Sequence, residues 1–297
     1  MAHAESVSTG HPAVTAARGM AAPRAAARQR GLAYLLLTVG LVVMVAPFLW
    51  MVLGSIKTPD ELVRTPPTWL PANPTLGNYR RLFDELDFPR YFLNSTIIAG
   101  VTTLSNLLFC SMVGYGLAKL HFAGRDKLFA LILGTMMVPG GVTLVPLFVL
   151  ISKLNLVNTL AGVILPGTVS AFGVFLMRQF ILGIPDDLLD AARIDGASEF
   201  RTFWQIVLPL VTPALATLGI LTFLGSWNDF LWPLIVLTDD AKYNLPVALA
   251  TFAIGQHSSD NGMLMAGSLV IIIPVLVVFV ALQRYFTQGI AMTGLKG

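Results

Sequence analysis

Asp190-Ala191-Ala192-Arg193-Ile194-Asp195-Gly196-Ala197, running on to Leu208-Pro209, forms a compact polar island between long charge-free apolar runs. The chemistry such an island can do is docking rather than bond breaking. Small residues at Ala191, Ala192, Gly196 and Ala197 leave a low surface that another protein's groove can approach closely, and Asp190 and Asp195 flank it with charge. An ordered, charged helix-turn-helix between two membrane spans suits a soluble partner that pushes on a transmembrane machine; an ordinary surface connector is the plainer alternative.

No other constellation points to catalysis or metal binding. His3, His11, His121 and His257 are scattered without metal-ligand spacing. The single cysteine, Cys110, lies inside an apolar run and reads as a small buried hydrophobe. The chain lacks the G-x-x-x-x-G-K-[ST] phosphate loop, so it is no ATPase. Its basic residues are spread over several loops rather than along a stripe, which gives no nucleic-acid footprint.

The elements that must carry the island follow from composition. Of 297 residues, 55% are hydrophobic and only 12% charged, against about 25% in a soluble domain. Mean hydropathy is +0.75. The chain belongs in a membrane, as an all-α protein. Six stretches are long and apolar enough to cross it: Leu32–Ile56, Tyr91–Ala118, Leu128–Ser152, Leu154–Met177, Ile206–Thr238 (its membrane part starting near Pro213) and Asn261–Gln283. Leu245–Gly255 is too short to span and reads as an ordered interfacial or re-entrant segment. The tail 1–30 reads as disordered and basic. The apolar run after it is too long for a cleaved signal peptide. The expected organisation is therefore a tail at 1–30, a first span at 31–56 and an outer loop at 57–90. A five-helix core at 91–284 follows, with a coupling loop at 184–209 and an outer loop at 238–260, and then a tail at 285–297.

Twelve Lys and Arg fall in the two tails and in the loops around Lys119–Lys127 and Arg178–Arg201, and seven on the opposite side. That bias places both termini in the cytoplasm. Pro47, Pro139, Pro146, Pro166, Pro233 and Pro274 fall in or near spans, where each removes a backbone donor and bends its helix. No two glycines stand four apart, so a strict GxxxG face is absent.

Within the island, Pro185, Asp186 and Asp187 make a good helix start, Gly196 a natural stop, and Ser198 a cap for a second helix. That second helix carries Phe200, Phe203, Trp204 and Val207 and is expected to end at Pro209. The pattern resembles the "EAA" loop of the membrane subunits of bacterial ATP-binding-cassette importers. Asp190 stands where the family usually has Glu; Ala191, Ala192, Asp195, Gly196, Ala197, Leu208 and Pro209 match. Trp227-Asn228-Asp229-Phe230-Leu231-Trp232-Pro233-Leu234, Leu245-Pro246-Val247, Asn78-Tyr79 and the C-terminal Gly289 and Gly294-Leu295-Lys296-Gly297 resemble the carbohydrate, maltose-transporter-like (MalG-like) subfamily. The likeness covers roughly residues 32–297.

The resemblance implies a type I importer permease fold with a cytoplasmic coupling helix. It also implies a second homologous permease, a dimer of cytoplasmic ATPases using Mg-ATP, and an extracytoplasmic sugar-binding protein or lipoprotein in a bacterial cell membrane. The outer segment Ala253, Ile254, Gly255, Gln256 and His257 would contact the binding protein. Asp229 is the only acid within a span. It reads either as part of a path or outer gate with Trp227 and Asn228, or as a buried hydrogen-bond node anchoring neighbouring helices. Asn94, Ser95, Asn106 and Ser111 read as interhelical glue. A secondary transporter would call for more intramembrane ionisable groups or an inverted repeat. A membrane enzyme would call for a convergent catalytic set, and the sequence holds none.

Overall fold

The computed structural model describes the backbone of residues 22–254 and 260–293, and side chains at 30–254, 260–281 and 283. It is helical, with no strand among the described residues. The chain falls into two units, Met1–Trp50 and Met51–Gly297. Helix α1 is Ala22–Ser55. It starts ahead of the boundary expected at residue 31, so part of the stretch read as a disordered tail is helical; residues 1–21 lie outside the described residues. From Leu32 to Leu49 α1 presents apolar side chains outward on every face, as a helix surrounded by hydrocarbon does.

In the second unit, helix α2 is Gly77–Glu85 and α3 is Phe88–Lys119. Three helices, Arg30–Ser55 within α1, α3, and Asn261–Ala281 within the last helix, are each long and apolar enough to cross a membrane. Three bent pairs pass the same test jointly, which makes six crossings if each pair is one.

The bends revise the expected spans. The third stretch is not one helix: α4 (Arg125–Thr135) and α5 (Gly140–Lys153) meet at 102°. Pro139 has no N–H to continue the ladder and disfavours helical backbone at the residue before it. The fourth does not begin at Leu154. Asn155 and Asn158 take positive φ, 57° and 60°, a conformation asparagine tolerates better than most residues. The helix then starts as α6 (Leu160–Gly167) and continues at 41° as α7 (Ala171–Leu182). The next helices are α8 (Asp186–Ile194), α9 (Glu199–Leu210) and α10 (Thr212–Trp227), the last two bent by 80°. The fifth stretch breaks again at Asn228–Phe230 before α11 (Leu231–Val236). The short segment after it forms α12 (Leu245–Ile254), and α13 is Asn261–Thr293.

Three apolar clusters hold the second unit together. One, at the end bearing the polar island, joins Tyr115, Leu117, Met177, Ile181, Leu189, Phe203, Val207 and Leu218. The opposite end holds two: Leu82, Phe88, Trp227, Leu245 and Met263, and Ile98, Ile151, Val163, Val236 and Leu237. In lipid, apolar burial drives little association, so close approach matters more. A Cβ on Gly114 would stand 2.9 Å from Met177 Cβ; its absence lets α3 and α7 pack backbone to backbone. Buried polar side chains on α3 then reach across. Asn106 Nδ2 donates to Gly167 O at 3.0 Å, Asn94 Nδ2 to Ala241 O and Tyr243 O, and Ser95 Oγ accepts from Leu245 N. Ser111 does not act across helices: its hydroxyl bonds back to Leu107 O and Leu108 O in its own helix.

Candidate functional site

The polar island folds as the spacing of its residues dictates. Asp186 and Asp187 occupy the first turn of α8 and Arg193 its last, each complementing the helix dipole. The helix ends in a Schellman motif. Ala197 N donates to Ala192 O at 2.9 Å and Gly196 N to Arg193 O at 3.0 Å, with Gly196 at φ +81°. Ser198 then caps α9, its Oγ accepting from Arg201 N at 3.3 Å. Helix α9 runs to Leu210, past the end expected at Pro209. It absorbs that proline through a wide turn at Phe203–Val207, in which Leu208 N reaches back to Phe203 O. Such widened turns recur at functional sites.

The island has two unlike faces. Leu189 and Ala192 point inward with Phe203 and Val207. Asp190, Ala191, Ile194, Asp195 and Gly196 are exposed. Ile194 is 87% exposed and Phe200 64%, and Phe200 meets Trp204 edge to face at 6.0 Å.

Polar contacts from α3 fix the inner face. Buried Lys119 Nζ donates to Ile184 O at 2.6 Å and Asp186 Oδ1 at 2.7 Å. One turn earlier on α3, Tyr115 OH donates to Glu199 Oε2 at 2.5 Å. Glu199 Oε1 accepts from Arg193 Nε, and Arg193 Nη1 reaches Asp190 Oδ1, both at 2.8 Å. Lys119 holds the Asp186 carboxyl below the usual carboxylate range. Arg193, helped by Tyr115, does the same for Glu199. Glu199 first, then Asp190, push the Arg193 guanidinium up. Asp190, expected as a flanking charge, is thus an ion-paired member of a chain that locks the helix corner. Sequence reading missed Tyr115, Lys119 and Glu199 as the fasteners; the i, i+4 spacing of Tyr115 and Lys119 at the end of a span was the available signal for the first two, and Glu199 had none.

The second region is a cavity of 390 Å³ where the breaks in the fourth and fifth stretches face α3. Thr102, Asn106, Ser170, Thr222, Ser226, Asp229 and Trp232 are among its lining residues. The group Trp227-Asn228-Asp229 divides here. Trp227, 1% exposed, is core: its Nε1 donates to Ile271 O at 3.0 Å, and it packs on Phe223 and Phe92. It lines no path. Asn228 is exposed and donates to Leu224 O within its own helix. Asp229 alone of the three lines the cavity. Its Oδ1 accepts from Trp232 N at 3.5 Å, and its backbone O accepts from Asn244 Nδ2 at 2.7 Å.

At the end opposite the island, the segment Thr58–Glu85 is pinned by buried side chains. Glu61 accepts from Thr68 Oγ1 at 2.7 Å and from Ala72 N, and Asn78 Nδ2 donates to Ser55 O and Lys57 O. Asp260 caps α13 through Met263 N at 3.1 Å and pairs with Arg81. Of the expected contact segment, Ala253 and Ile254 end α12, with Ile254 82% exposed; Gly255, Gln256 and His257 lie outside the described residues. No group of side chains suited to a metal occurs among the described residues.

Residues 110–292 match the family model described as "Binding-protein-dependent transport system inner membrane component". The chain is 42% identical over 269 residues, 88% of its length and 96% of the relative's, to the arabinooligosaccharides transport system permease protein AraQ of Halalkalibacterium halodurans. It is 34% identical to the lactose transport system permease protein LacG of Rhizobium radiobacter, over 86% of this chain and 93% of that one. To the sn-glycerol-3-phosphate transport system permease protein UgpE of Salmonella typhi it is also 34% identical, over 88% and 97%. Among solved structures, a bacterial ABC transporter involved in the import of the acidic polysaccharide alginate superposes with a TM-score of 0.80, covering 87% of this chain and 97% of that one at 24% identity.

Proposed function

The chain belongs to the family of binding-protein-dependent transport system inner membrane components, and from that membership we propose that it is the permease subunit of an ATP-driven importer for a neutral oligosaccharide. The relatives named for arabinooligosaccharides and lactose support the substrate class. In this reading the chain crosses a bacterial cell membrane six times with both termini in the cytoplasm. It lines the path together with a second homologous permease. A dimer of ATPases burns Mg-ATP below it, and a sugar-binding protein delivers cargo above it.

One observation carries the assignment of α8 and the Gly196 corner as the coupling element. The inner face is fastened to α3 by Lys119 and Tyr115, while the outer face offers bare Ile194, Phe200 and Trp204. A lever needs both: a stiff tie to the spans and an uncovered grip for the engine. Asp190, Ala191, Asp195, Gly196 and Ala197 shape that grip, and buried Ala192 packs beneath it. Ala253, Ile254, Gly255, Gln256 and His257 are assigned to the contact with the binding protein.

Ile194→Glu tests the assignment, because it places a charge on the grip while touching no internal contact. The expected result is a full yield of permease pair, loss of co-purifying ATPase, and uptake of labelled arabinotriose reduced at least tenfold. Wild-type uptake with the ATPase still bound would remove α8 from the coupling role.

A further inference from the structure

We propose that the cavity between α3 and the breaks in the fourth and fifth stretches is a binding subsite for one ring of a neutral sugar, with Asp229 and Trp232 as its recognition pair. The proposal rests on the importer reading above and adds where, in this subunit, the solute is held.

The cavity's 390 Å³ falls within the range of about 300–1,000 Å³ for small-molecule sites. Non-helical backbone at membrane depth persists only where protein buries it or it lines a water-filled space. Here two such breaks, around Gly167 and around Asp229, open onto one cavity. The lining is chemically mixed in the way a sugar ring requires. Thr102 and Asn106 stand one turn apart on α3, and Thr222 and Ser226 one turn apart on α10. Together they offer hydroxyl and amide groups that both donate and accept. Asp229 adds an acceptor for ring hydroxyls. Trp232 adds an aromatic side chain to the lining.

The charge of the lining narrows the class. Among the described residues that line it, Asp229 is the only ionisable one, with no Lys, Arg or His. Uronates and phosphate esters therefore find no counter-charge, whereas neutral hydroxylated rings find donors and acceptors. Gly225 also lines the cavity, and a Cβ there meets nothing within 4 Å, so a side chain at 225 grows at the cavity wall into open space rather than into protein.

The test uses the whole complex of this chain, its sister permease, the ATPases and the binding protein, in proteoliposomes. Uptake of tritiated arabinotriose is measured for Gly225→Ala, Gly225→Leu, Trp232→Phe and Asp229→Asn, with complex yield recorded for each. A Ser226→Cys variant is labelled with a maleimide in the presence and absence of arabinotriose. Expected are a graded loss, small for Gly225→Ala and at least tenfold for Gly225→Leu at normal yield, clear losses for Trp232→Phe and Asp229→Asn, and protection of position 226 by the sugar. Normal uptake by Gly225→Leu together with unprotected labelling would overturn the subsite and leave the importer reading standing. A wild-type complex that moves trigalacturonate or sn-glycerol 3-phosphate but not arabinotriose would overturn the neutral-sugar reading, and the subsite's ligand class with it.

Discussion

The Lys119 ammonium lies 2.7 Å from Asp186 Oδ1, joining the last turn of α3 to the first turn of α8 across 67 residues of sequence. The same ammonium donates to Ile184 O, so a buried cation at the end of one membrane-crossing helix is spent on holding the next element in place. Lys119→Met keeps the stem and removes the charge. The spans should assemble at normal yield, while amide exchange over Asp186–Ile194 accelerates several-fold as the tie from α3 is lost. Unchanged exchange would mean that apolar packing of Leu189 alone holds α8.

The carboxyls of this network set its pH range. Asp186 and Glu199 both have folded values held below the ordinary carboxylate range, by Lys119 and by Arg193 respectively. A depressed value means that the stabilisation is complete above the unfolded value and is lost as pH falls through the folded one. Protection of the α8–α9 corner should therefore be flat from neutral pH down to about pH 5 and fail only below about pH 4. Fluorescence of exposed Trp204 across a pH series reads this directly. A transition near pH 6–7 would instead mean that these two carboxyls do not set the range.

Gly196 is required for its backbone rather than for lack of room. No atom lies within 4 Å of where its Cβ would be, yet its φ is +81°. An L residue there is strained by roughly 1–2 kcal/mol, least for asparagine. Gly196→Asn should retain at least half of wild-type uptake, and Gly196→Leu, which adds both strain and bulk to the grip, should uncouple ATP hydrolysis from uptake. Equal defects in the two variants would assign the whole effect to surface shape.

Much of this was legible in the sequence, because hydropathy and the Asp190–Pro209 pattern are local. The helix start, glycine corner and Ser198 cap are read from neighbouring residues, and so were found. Pro139 and Pro166 marked two of the bends, but the break at Asn228–Phe230 and the late start of α6 were not legible, because an apolar run has the same composition whether or not its hydrogen-bond ladder is continuous. Asn155 and Asn158 sat inside a stretch that scores as a span, yet their left-handed backbone delays the helix to Leu160. Side-chain fasteners were missed for a different reason: Tyr115 and Glu199 are 84 residues apart, and nothing local to either announces the other. The same limit grouped Trp227 with Asp229, adjacent in sequence but facing a core and a cavity respectively.

The outer loop should separate into a contact part and a structural part. Asp260 caps α13 and pairs with Arg81, so a deletion of 253–261 removes a structural fastener as well as the segment assigned to the binding protein. Removing residues 255–259 alone should leave complex yield normal and lower the ATPase stimulation given by sugar-loaded binding protein several-fold. Asp260→Ala should do the reverse, lowering the melting temperature through a lost cap of about 1 kcal/mol with stimulation retained in the folded fraction. If the 255–259 deletion keeps full stimulation, the binding protein is received elsewhere.

Trp227 and Asp229 give the sharpest contrast, since they are two residues apart and do different work. Trp227 fills the cluster with Leu82, Phe88, Leu245 and Met263, stacks on Phe223 at 5.6 Å and ties α10 to α13 through Ile271 O. Truncation to alanine leaves a void, a loss of about 3–5 kcal/mol. Trp227→Ala should therefore reduce assembled complex severely, and the fraction that survives should transport the same sugars in the same order of preference as the wild type. Trp227→Phe keeps most of the volume and loses only the bond, so its yield should lie between the two. Size-exclusion yield and competitive uptake of two labelled sugars, measured on the same preparations, check both variants. Normal yield with altered preference in Trp227→Ala would put the indole in the solute path and contradict its assignment to the core.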